Sequence, residues 1–384
     1  MGKRLLFISS LYPNPLSPTM ASYNRQQITA LREYCEVEVI SPIPWISLLK
    51  HNLKQPSREE SGMTIHYPIY YYSPCIFRER YGDFFYYSIK HVSTRLLNKK
   101  KFDIIFSSWL YPDSWAAAKL AKLYNLPLFV KVHGTDVNRL TVGSAITRKS
   151  LHVANQAEKV ICVSKALKDR LIALGVSEFK LEVLYNGVDR TIFYPMDREY
   201  ARQQLKLDTN EFVVLYVGNL KKEKGLYELI ASFRAASAAI SEKSRLIIIG
   251  SGAYRRTANQ LVSSLHLSKK VHFLGDQPLE TVAQWMNAAS LLCLPSYMEG
   301  VPNVVLEAFS CGTKVIATSV GGIPELDARQ GNIRLIDPRS VSQLTQALSD
   351  MRSEKYLYVE SNFINTWHEN AARIFQIFQK TGGS

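Results

Sequence analysis

Two successive series of short apolar runs, each alternating with helix-like stretches, constrain the fold of this chain most. The runs are rich in Val, Ile and Leu along their whole length, which is typical of parallel strands buried on both faces. Alternation of strands and helices predicts doubly wound α/β sheets. Because there are two series, we predict an α/β chain with two doubly wound, Rossmann-like domains. The predicted strands are 4–9, 37–41, 103–108, 128–134, 159–164 and 181–187, then 212–218, 245–250, 271–275, 290–296 and 314–318.

The domain boundary is expected where this pattern is interrupted. Turn residues and Pro195 break it over 186–197, so we predict an N-terminal domain 1–190 and a C-terminal domain 191–364. A chain of 384 residues suits two domains of about 150–200 residues each. The last segment, 365–384, reads as a helix because Ala371, Ile374, Phe375 and Phe378 share one face. We expect this helix to pack back on the N-terminal domain.

Composition narrows the classes of protein. No apolar run approaches the roughly 20 residues of a membrane span. The five cysteines are scattered, without CxxC or Cys/His clusters, so we expect a cytoplasmic protein with no disulfide and no zinc. The net charge of +14 favours an anionic partner, which could be nucleic acid, a phosphate-bearing substrate or an acidic membrane. No nucleic-acid-binding motif is present, so we expect no nucleic acid partner.

The stretch "SYMEGVPNVVLEAFSCG" (296–312) places two glutamates, Glu299 and Glu307, eight positions apart among apolar residues. Pro302 and Gly312 suit the start and end of a short helix over 302–311 that follows a buried strand. A helix N-terminus offers unpaired N–H groups to phosphate, and sugar hydroxyls can donate to a carboxylate. The stretch therefore suits a ligand with phosphate and vicinal hydroxyls. An equally simple alternative is an ordinary helix start in which Glu299 stabilises the helix dipole and Glu307 pairs with a lysine.

Several motifs in order resemble family-4 glycosyltransferases ("glycosyl transferases group 1"). They are E-x7-E at 299–307, "YVGNLKKEKG" (216–225), "VGGIPEL" (320–326), "VSKALKDRLIALGV" followed by "LYNGVDRTIFYP", and the stretch 102–136, which resembles the bacterial branch that makes surface polysaccharides. The resemblance implies the GT-B architecture, two Rossmann-like domains facing a central cleft. It also implies retaining transfer of a sugar from a UDP- or GDP-sugar to a lipid-linked acceptor of a growing polysaccharide. No cofactor or metal is expected, and no Asp-x-Asp pair is present.

The resemblance also implies roles for residues of the C-terminal domain. Glu307 would hold the ribose hydroxyls, Glu299 would lie beside the donor sugar, and Lys224 would neutralise the leaving diphosphate, whose developing charge a fixed cation stabilises. Further donor-binding residues would be Gly218, Asn219, Leu274, Gly300, Val301, Asn303 and Val304. Asn219 stands where the family usually has arginine, so the phosphate contacts depart from the family pattern. Lys221 and Lys222 are expected to be exposed basic residues of the same loop.

In the N-terminal domain, "KVHGTD" places His133 just past a predicted strand, with Asp136 nearby. By resemblance, His133 contacts the donor sugar or the reacting centre. Asp136 is expected either to position the acceptor or to cap the turn. The loop after the first strand lacks the glycine pair that the family often carries. Tyr23 and Asn24 are expected to line the acceptor side.

The segment 65–101 is rich in aromatic and basic residues. Phe85, Ile89, Val92 and Leu96 follow helical spacing, which predicts a helix with a core-facing side and a solvated basic side. The alternative is a surface that meets anionic lipid, which would place the protein at the inner face of the membrane.

Two further hypotheses remain open on the sequence. A non-catalytic sugar-nucleotide-binding or partner protein on the same fold would explain Asn219 and the missing glycine pair. A glycoside hydrolase would also use two carboxylates, but these flank the scissile bond, whereas Glu299 and Glu307 share one loop and helix.

Overall fold

The computed structural model describes residues 2–49, 57–60, 62–330, 333–351 and 364–380. Its strands are β1 (Lys3–Ile8), β2 (Cys35–Ile40), β3 (Ile43–Pro44), β4 (Ser57–Glu60), β5 (Met63–His66), β6 (Ile69–Tyr70), β7 (Ile104–Ser108), β8 (Leu128–Val132), β9 (Lys159–Cys162), β10 (Leu181–Val183), β11 (Phe212–Val217), β12 (Ser244–Ile249), β13 (Val271–Gly275), β14 (Leu291–Leu294), β15 (Val315–Thr318) and β16 (Ile333–Ile336). Its α-helices are α1 (Ser22–Leu31), α2 (Tyr81–Lys99), α3 (Asp113–Tyr124), α4 (Thr135–Asn138), α5 (Ala145–Gln156), α6 (Lys165–Ala173), α7 (Arg198–Gln204), α8 (Leu226–Ile240), α9 (Arg255–Ser264), α10 (Leu279–Ala288), α11 (Asn303–Ser310), α12 (Ile323–Gln330), α13 (Val341–Asp350) and α14 (Trp367–Lys380).

The chain divides into two compact units. Unit 1 is Met1–Gly187 with Trp367–Ser384, and unit 2 is Val188–Thr366. The sequence-based boundaries, 190/191 and 364/365, lie within three residues of these positions. Each unit contains one main sheet with helices around it, so the α/β class predicted from the two series of runs is confirmed.

Unit 1 is built on an eight-stranded sheet in the order β10-β9-β8-β7-β1-β2-β5-β4, parallel except for the β4–β5 pair. All residues of β7 and β8 are buried, as their continuous apolar runs predict. The small strands β3 and β6 pair separately. Sequence patterns missed β3 and β6 because they have two residues each, and β4 and β5 because they are short and contain polar residues.

The C-terminal helix α14 completes the core of unit 1. Ala371, Ile374 and Phe378 are buried with the residues of α1 and β1. The amide of Asn370 accepts a hydrogen bond from Gln27 at 3.1 Å and donates one to the carbonyl of Tyr185 at 2.6 Å. Residues 365 and 366 precede the helix, and the predicted part 381–384 lies outside the described residues.

Helix α2 buries the apolar face that its spacing predicts. Phe85, Ile89 and Leu96 are buried in the core of unit 1, and Val92 packs against it. The core-facing interpretation of this spacing is therefore confirmed. Whatever contact segment 65–101 makes with other molecules must use other residues than these.

Unit 2 has a six-stranded sheet in the order β13-β12-β11-β14-β15-β16, with every pair parallel. This order reverses between β11 and β14, and in doubly wound sheets ligands bind outside the carboxyl ends of the strands at this point. The edge strand β16 was missed, since only two of its four residues are buried.

Helix α11 begins one residue later than predicted. Pro302 still has an extended backbone, with ψ of 122°, and stands before the first helical residue, Asn303. Gly312 follows the helix with φ of 75°, as expected for a glycine beyond a helix end. Across the described ranges, no helix combines the length and the apolar character needed to cross a bilayer.

Candidate functional site

The loops that follow β11 and β14 lie side by side where the strand order of unit 2 reverses. The backbone N–H of Tyr297 donates to the carbonyl of Glu223 at 2.9 Å. Gly225 has φ of 71°, and a Cβ there would lie 2.0 Å from the carbonyl oxygen of Pro295. Only glycine permits this approach, which brings the end of the β11 loop against the start of the β14 loop.

Lys224 and Glu299 meet across these two loops. The Nζ of Lys224 donates to Oε1 of Glu299 at 2.6 Å, and neither side chain is more than a quarter exposed. The carbonyl of Glu299 is also close to Gly321, where a Cβ would lie 2.0 Å from that oxygen. Two residues separated by 75 positions thus form one charged centre at the carboxyl edge of the sheet.

Glu307 lies on α11, half-buried, and burial raises the pKa of its carboxyl from 4.5 to about 7. Within the part of the chain that the structure describes, no hydrogen bond or ion pair to this carboxylate is found. A carboxylate that is desolvated without donors is costly, and donors from a ligand would offset that cost.

The other residues predicted on this side occupy the same edge of unit 2. Gly218 and the exposed Asn219 follow β11, and the carbonyl of Asn219 accepts from the Tyr216 hydroxyl at 3.0 Å. Leu274 lies near the end of β13, two strands from β11. The remaining predicted residues lie in the β14 loop and the first turn of α11; they are Gly300, Val301, Asn303 and Val304. Lys221 and Lys222 are exposed.

In unit 1, His133 follows β8 and joins a hydrogen-bonded group at the carboxyl edge of the sheet. Its Nε2 lies 2.7 Å from Oγ of Ser108, the last residue of β7. The ring of Tyr23 lies 4.8 Å from the His133 ring, centroid to centroid. Desolvation and the nearby Lys131 charge lower the pKa of His133 well below 6.5, so its imidazole is neutral at pH 7.

For the acceptor side, burial argues against the predicted role of Asn24 and favours the turn-capping alternative for Asp136. Asn24 is completely buried, and its amide donates to the carbonyl of Leu11 at 2.6 Å and to Ser108 at 3.0 Å. Asp136 is also buried, and its carboxylate accepts backbone N–H groups of His133, Gly134 and Leu110. Both residues therefore hold the loops around His133, and only Tyr23 of the predicted three is partly accessible.

Asp113 is a functional candidate that sequence reasoning missed. It begins α3, is completely buried, and accepts from the backbone N–H of Ser10 at 2.6 Å and from the hydroxyls of Ser9 and Ser10. Burial raises the pKa of its carboxyl to about 7, although these hydrogen bonds act in the opposite direction. The available signal was an aspartate five residues after a predicted strand, at a helix start.

Lys131 was also missed, because a lysine inside an apolar strand gives no sign of its environment. It is completely buried on β8, two residues before His133, and its Nζ donates to Oδ1 of Asn186 at 2.7 Å. Burial lowers the pKa of its ammonium to about 7. The aromatic ring of Trp367 lies 5.9 Å from the same Nζ.

Among the described residues, neither the group around Lys224 in unit 2 nor the group around His133 in unit 1 contains a candidate metal site or a disulfide. In the described ranges, no cluster of three or more His, Cys, Asp or Glu side chains could hold a metal ion. All five cysteines are free.

Comparison with known proteins identifies the family. The model "Glycosyltransferase Family 4" matches residues 20–191, and "Glycosyl transferases group 1" matches residues 197–372. The chain is 27% identical over 371 residues to the putative teichuronic acid biosynthesis glycosyltransferase TuaC of Bacillus subtilis, covering 92% of this chain and 90% of that protein. It is 27% identical over 231 residues to the N-acetyl-alpha-D-glucosaminyl L-malate synthase of Bacillus anthracis, covering 59% of each.

Solved structures agree at the level of the fold. Sucrose-phosphate synthase from Thermosynechococcus elongatus matches with a TM-score of 0.84 at 22% identity over 99% of both chains. HepE of Anabaena, in a complex with UDP-glucose, matches with a TM-score of 0.71 at 21% identity over 99% of this chain and 98% of that one. The fold is that of the GT-B glycosyltransferases, as predicted. The two family models together span most of both units, and the chain belongs to glycosyltransferase family 4.

Proposed function

We propose that this glycosyltransferase moves a sugar, with retention of anomeric configuration and without a metal ion, from a UDP- or GDP-sugar to a lipid-linked acceptor of a growing surface polysaccharide. The observation that carries this proposal is the Lys224–Glu299 pair at the point where the strand order of unit 2 reverses. It provides a cation and a carboxylate where a doubly wound sheet binds its ligand.

Lys224 is proposed to stabilise the leaving diphosphate. As the bond between the anomeric carbon and the diphosphate oxygen breaks, negative charge builds on that oxygen, and a fixed ammonium lowers the barrier. In the free protein Glu299 holds this ammonium in place. A diphosphate that approaches Lys224 would share it, leaving Glu299 to accept hydroxyls of the donor sugar.

Glu307 is proposed to accept hydrogen bonds from the two ribose hydroxyls. The raised pKa of its carboxyl and the lack of partners within the described ranges are what an empty hydroxyl site would show. The start of α11, at Asn303, adds N–H groups suited to phosphate. Leu274 at the end of β13 is proposed to face the nucleobase.

His133 is proposed to contact the donor sugar or the reacting centre as a neutral hydrogen-bonding group. Burial lowers the pKa of His133, which favours a role for the neutral imidazole at pH 7. Ser108 fixes one ring nitrogen and Tyr23 packs on the ring, so the imidazole has a defined orientation. Tyr23 is the residue we propose for contact with the acceptor.

The relatives support a sugar nucleotide and a polysaccharide. TuaC is named for teichuronic acid biosynthesis, and HepE was solved with UDP-glucose. On this basis we favour a UDP-sugar. A lipid-linked acceptor would place the enzyme in the cytoplasm, at the inner face of the membrane. The alternative of a non-catalytic sugar-nucleotide-binding protein is favoured by Asn219, which is exposed and brings no charge to the phosphate site.

Release of nucleoside diphosphate tests the proposal. The purified chain is mixed with UDP-glucose, UDP-galactose, UDP-N-acetylglucosamine or GDP-mannose in EDTA, with and without lipid extract from the source cell. We expect release from one donor, stimulated by lipid. Lys224→Ala should abolish it, whereas Lys222→Ala, in the same turn but exposed, should not. A donor that raises the melting temperature but releases no diphosphate would favour the binding-protein alternative.

A further inference from the structure

An exposed apolar loop in unit 1 is built for contact with another surface. Residues 74–80, which we call the tip, precede α2, and all seven are exposed. Ile76 is 56% exposed and Phe77 is 54% exposed. Two large apolar side chains in succession at the end of a loop are unusual on a solvated face.

The protein holds the tip in a defined conformation. The Tyr111 hydroxyl donates to the carbonyl of Glu79 at 2.6 Å, and Nζ of Lys149 donates to the same carbonyl at 2.6 Å. Cys75 and Phe77 both have positive φ, 66° and 53°, a backbone conformation that residues other than glycine rarely adopt. Strained residues persist where surrounding contacts fix them, often at sites of function.

A charged cluster around Asp83 stabilises the hydrogen bonds that hold the tip. Asp83, at the start of α2, accepts from Lys119, Lys149 and the indole of Trp115. Although burial acts in the opposite direction, these hydrogen bonds lower the pKa of Asp83 to about 2. Glu79 lies within the tip between Arg78 and Arg80, and Asp83 is the next acid along the chain. Because two lysines neutralise Asp83, it adds no net repulsion toward an anionic partner.

Basic residues continue from the tip along α2. Arg78 and Arg80 belong to the tip, and three exposed residues on the flanks of the helix, which we call the basic stripe, follow: Lys90, Arg95 and Lys99. Tyr87, between Arg80 and Lys90 in the sequence, is also exposed. The backbone N–H of Tyr71 donates to Ser88 at 3.0 Å, which brings the exposed Tyr71 next to α2. No acidic residue occurs between Asp83 and Asp103.

The tip lies at the same edge of the unit 1 sheet as His133. Ser108 ends β7 and contacts His133, and Tyr111, three residues later, holds the tip. A surface bound by the tip would thus be near the residues proposed to face the acceptor.

We propose that the tip inserts Ile76 and Phe77 into an anionic lipid bilayer while the basic stripe contacts its headgroups. Two adjacent apolar side chains would gain burial in the hydrocarbon region, and the positive charges around them complement a negative surface. This inference rests on the proposed function in one respect: a lipid-linked acceptor would require the protein to contact the membrane. It refines the interpretation of segment 65–101, because the membrane-facing residues are distinct from the buried face of α2.

Vesicle sedimentation tests this without any donor or turnover. The full chain is mixed with vesicles of phosphatidylcholine, alone or with phosphatidylglycerol. We expect binding to the anionic vesicles only, weakened by salt because the headgroup attraction is screened. Ile76→Ser with Phe77→Ser should lower the partition coefficient about tenfold or more, from lost apolar burial. Each Gln replacement in the basic stripe should lower it about fivefold.

Phe179 provides the matched control, since it is also in unit 1 and 88% exposed but lies far along the sequence on another surface turn. Phe179→Ser should bind anionic vesicles as the unchanged chain does. Phe77→Trp should show a blue shift of its emission on anionic vesicles, and Phe179→Trp should not. These single replacements report on the tip even if the double serine variant folds poorly.

Three results would overturn the proposal. The first is equal binding to neutral and anionic vesicles, or no binding to either. The second is unchanged binding when Ile76 and Phe77 are both replaced. The third is a wild-type dimer in sedimentation velocity that becomes monomeric in the double variant, which would make the tip an interface between copies. None of these results affects diphosphate release in solution, so the proposed function stands or falls separately.

Discussion

Replacing Glu307 by Gln should stabilise the free protein while it weakens donor binding. The pKa of this carboxyl is raised from 4.5 to about 7 by burial, so the folded protein binds more protons than the unfolded chain between these values. Stability of the unchanged protein should therefore fall as pH rises from 4.5 to 7. Glutamine resembles the neutral acid in shape and has no charge to desolvate.

The size of the effect follows from the pKa values. One pKa unit corresponds to about 1.4 kcal/mol, so keeping Glu307 ionised costs about 3 kcal/mol above pH 7. Glu307→Gln should thus match the unchanged protein near pH 4.5 and exceed its stability by about 3 kcal/mol at pH 8. For a unit of this size the gain corresponds to a rise in melting temperature of roughly 6–12 °C.

Donor binding should change in the opposite direction. If the ionised carboxylate accepts both ribose hydroxyls, a neutral amide loses a charge-assisted hydrogen bond worth about 1.5–3 kcal/mol, or roughly a 10- to 100-fold weaker Kd for UDP. Calorimetric titration with UDP at pH 8 measures this. Thermal denaturation at several pH values measures the stability.

Glu280→Gln is the matched control, because Glu280 is exposed on α10 of the same unit. It should leave UDP binding unchanged and alter stability by no more than about 0.5 kcal/mol. A Glu307→Gln variant that is less stable than the unchanged protein at pH 8 would show that the carboxylate has a structural partner. Unchanged UDP affinity would refute its role at the ribose.

Three further replacements test other parts of the account. Lys224→Ala should lower turnover more than UDP affinity, because its charge acts on the departing diphosphate. Equal losses of turnover and affinity would assign Lys224 to ground-state binding. Lys222→Ala is the control, because Lys222 is exposed. Ser108→Ala removes the 2.7 Å contact with His133 and should lower turnover while UDP affinity stays the same; unaffected turnover would show that this orientation is not needed. Lys131→Met should stabilise the protein most at and below about pH 7, where the buried ammonium is charged in the folded state. The advantage should shrink as pH rises from about 7 to 10.5, because the unfolded chain binds more protons than the folded one in that range. A pH-independent difference in melting temperature would contradict the lowered pKa of Lys131.

Much of the fold could be predicted from local sequence, because buried parallel strands are continuous apolar runs. Every run predicted as a strand overlaps a strand of the structure, and the ends differ by a few residues. Short or polar strands such as β4 and β16 could not be found in this way, since their pairing depends on neighbours distant in the chain. The start of α11 was misplaced by one residue because Pro302 suits both the first helical position and the position before it.

The candidate site was predicted less completely, because its chemistry arises from contacts between distant residues. Motifs identified Lys224 and Glu299 singly, yet nothing local indicates that they form an ion pair. Asn24 was assigned to the acceptor side from its loop, but the carbonyl of Leu11 and Ser108 take its amide in the interior. Asp113 and Lys131 lie in stretches that resemble the family, but nothing in those stretches assigns them a role, and only tertiary structure reveals their altered pKa values.

Retaining transfer is tested by proton NMR of the reaction with UDP-sugars in EDTA, which follows diphosphate release and the anomer of the first sugar released to water. We expect release from one donor, with the α-anomer of an α-linked donor appearing first. Release of the β-anomer first would contradict retention. No release from any donor, while UDP still binds, would contradict the transferase itself.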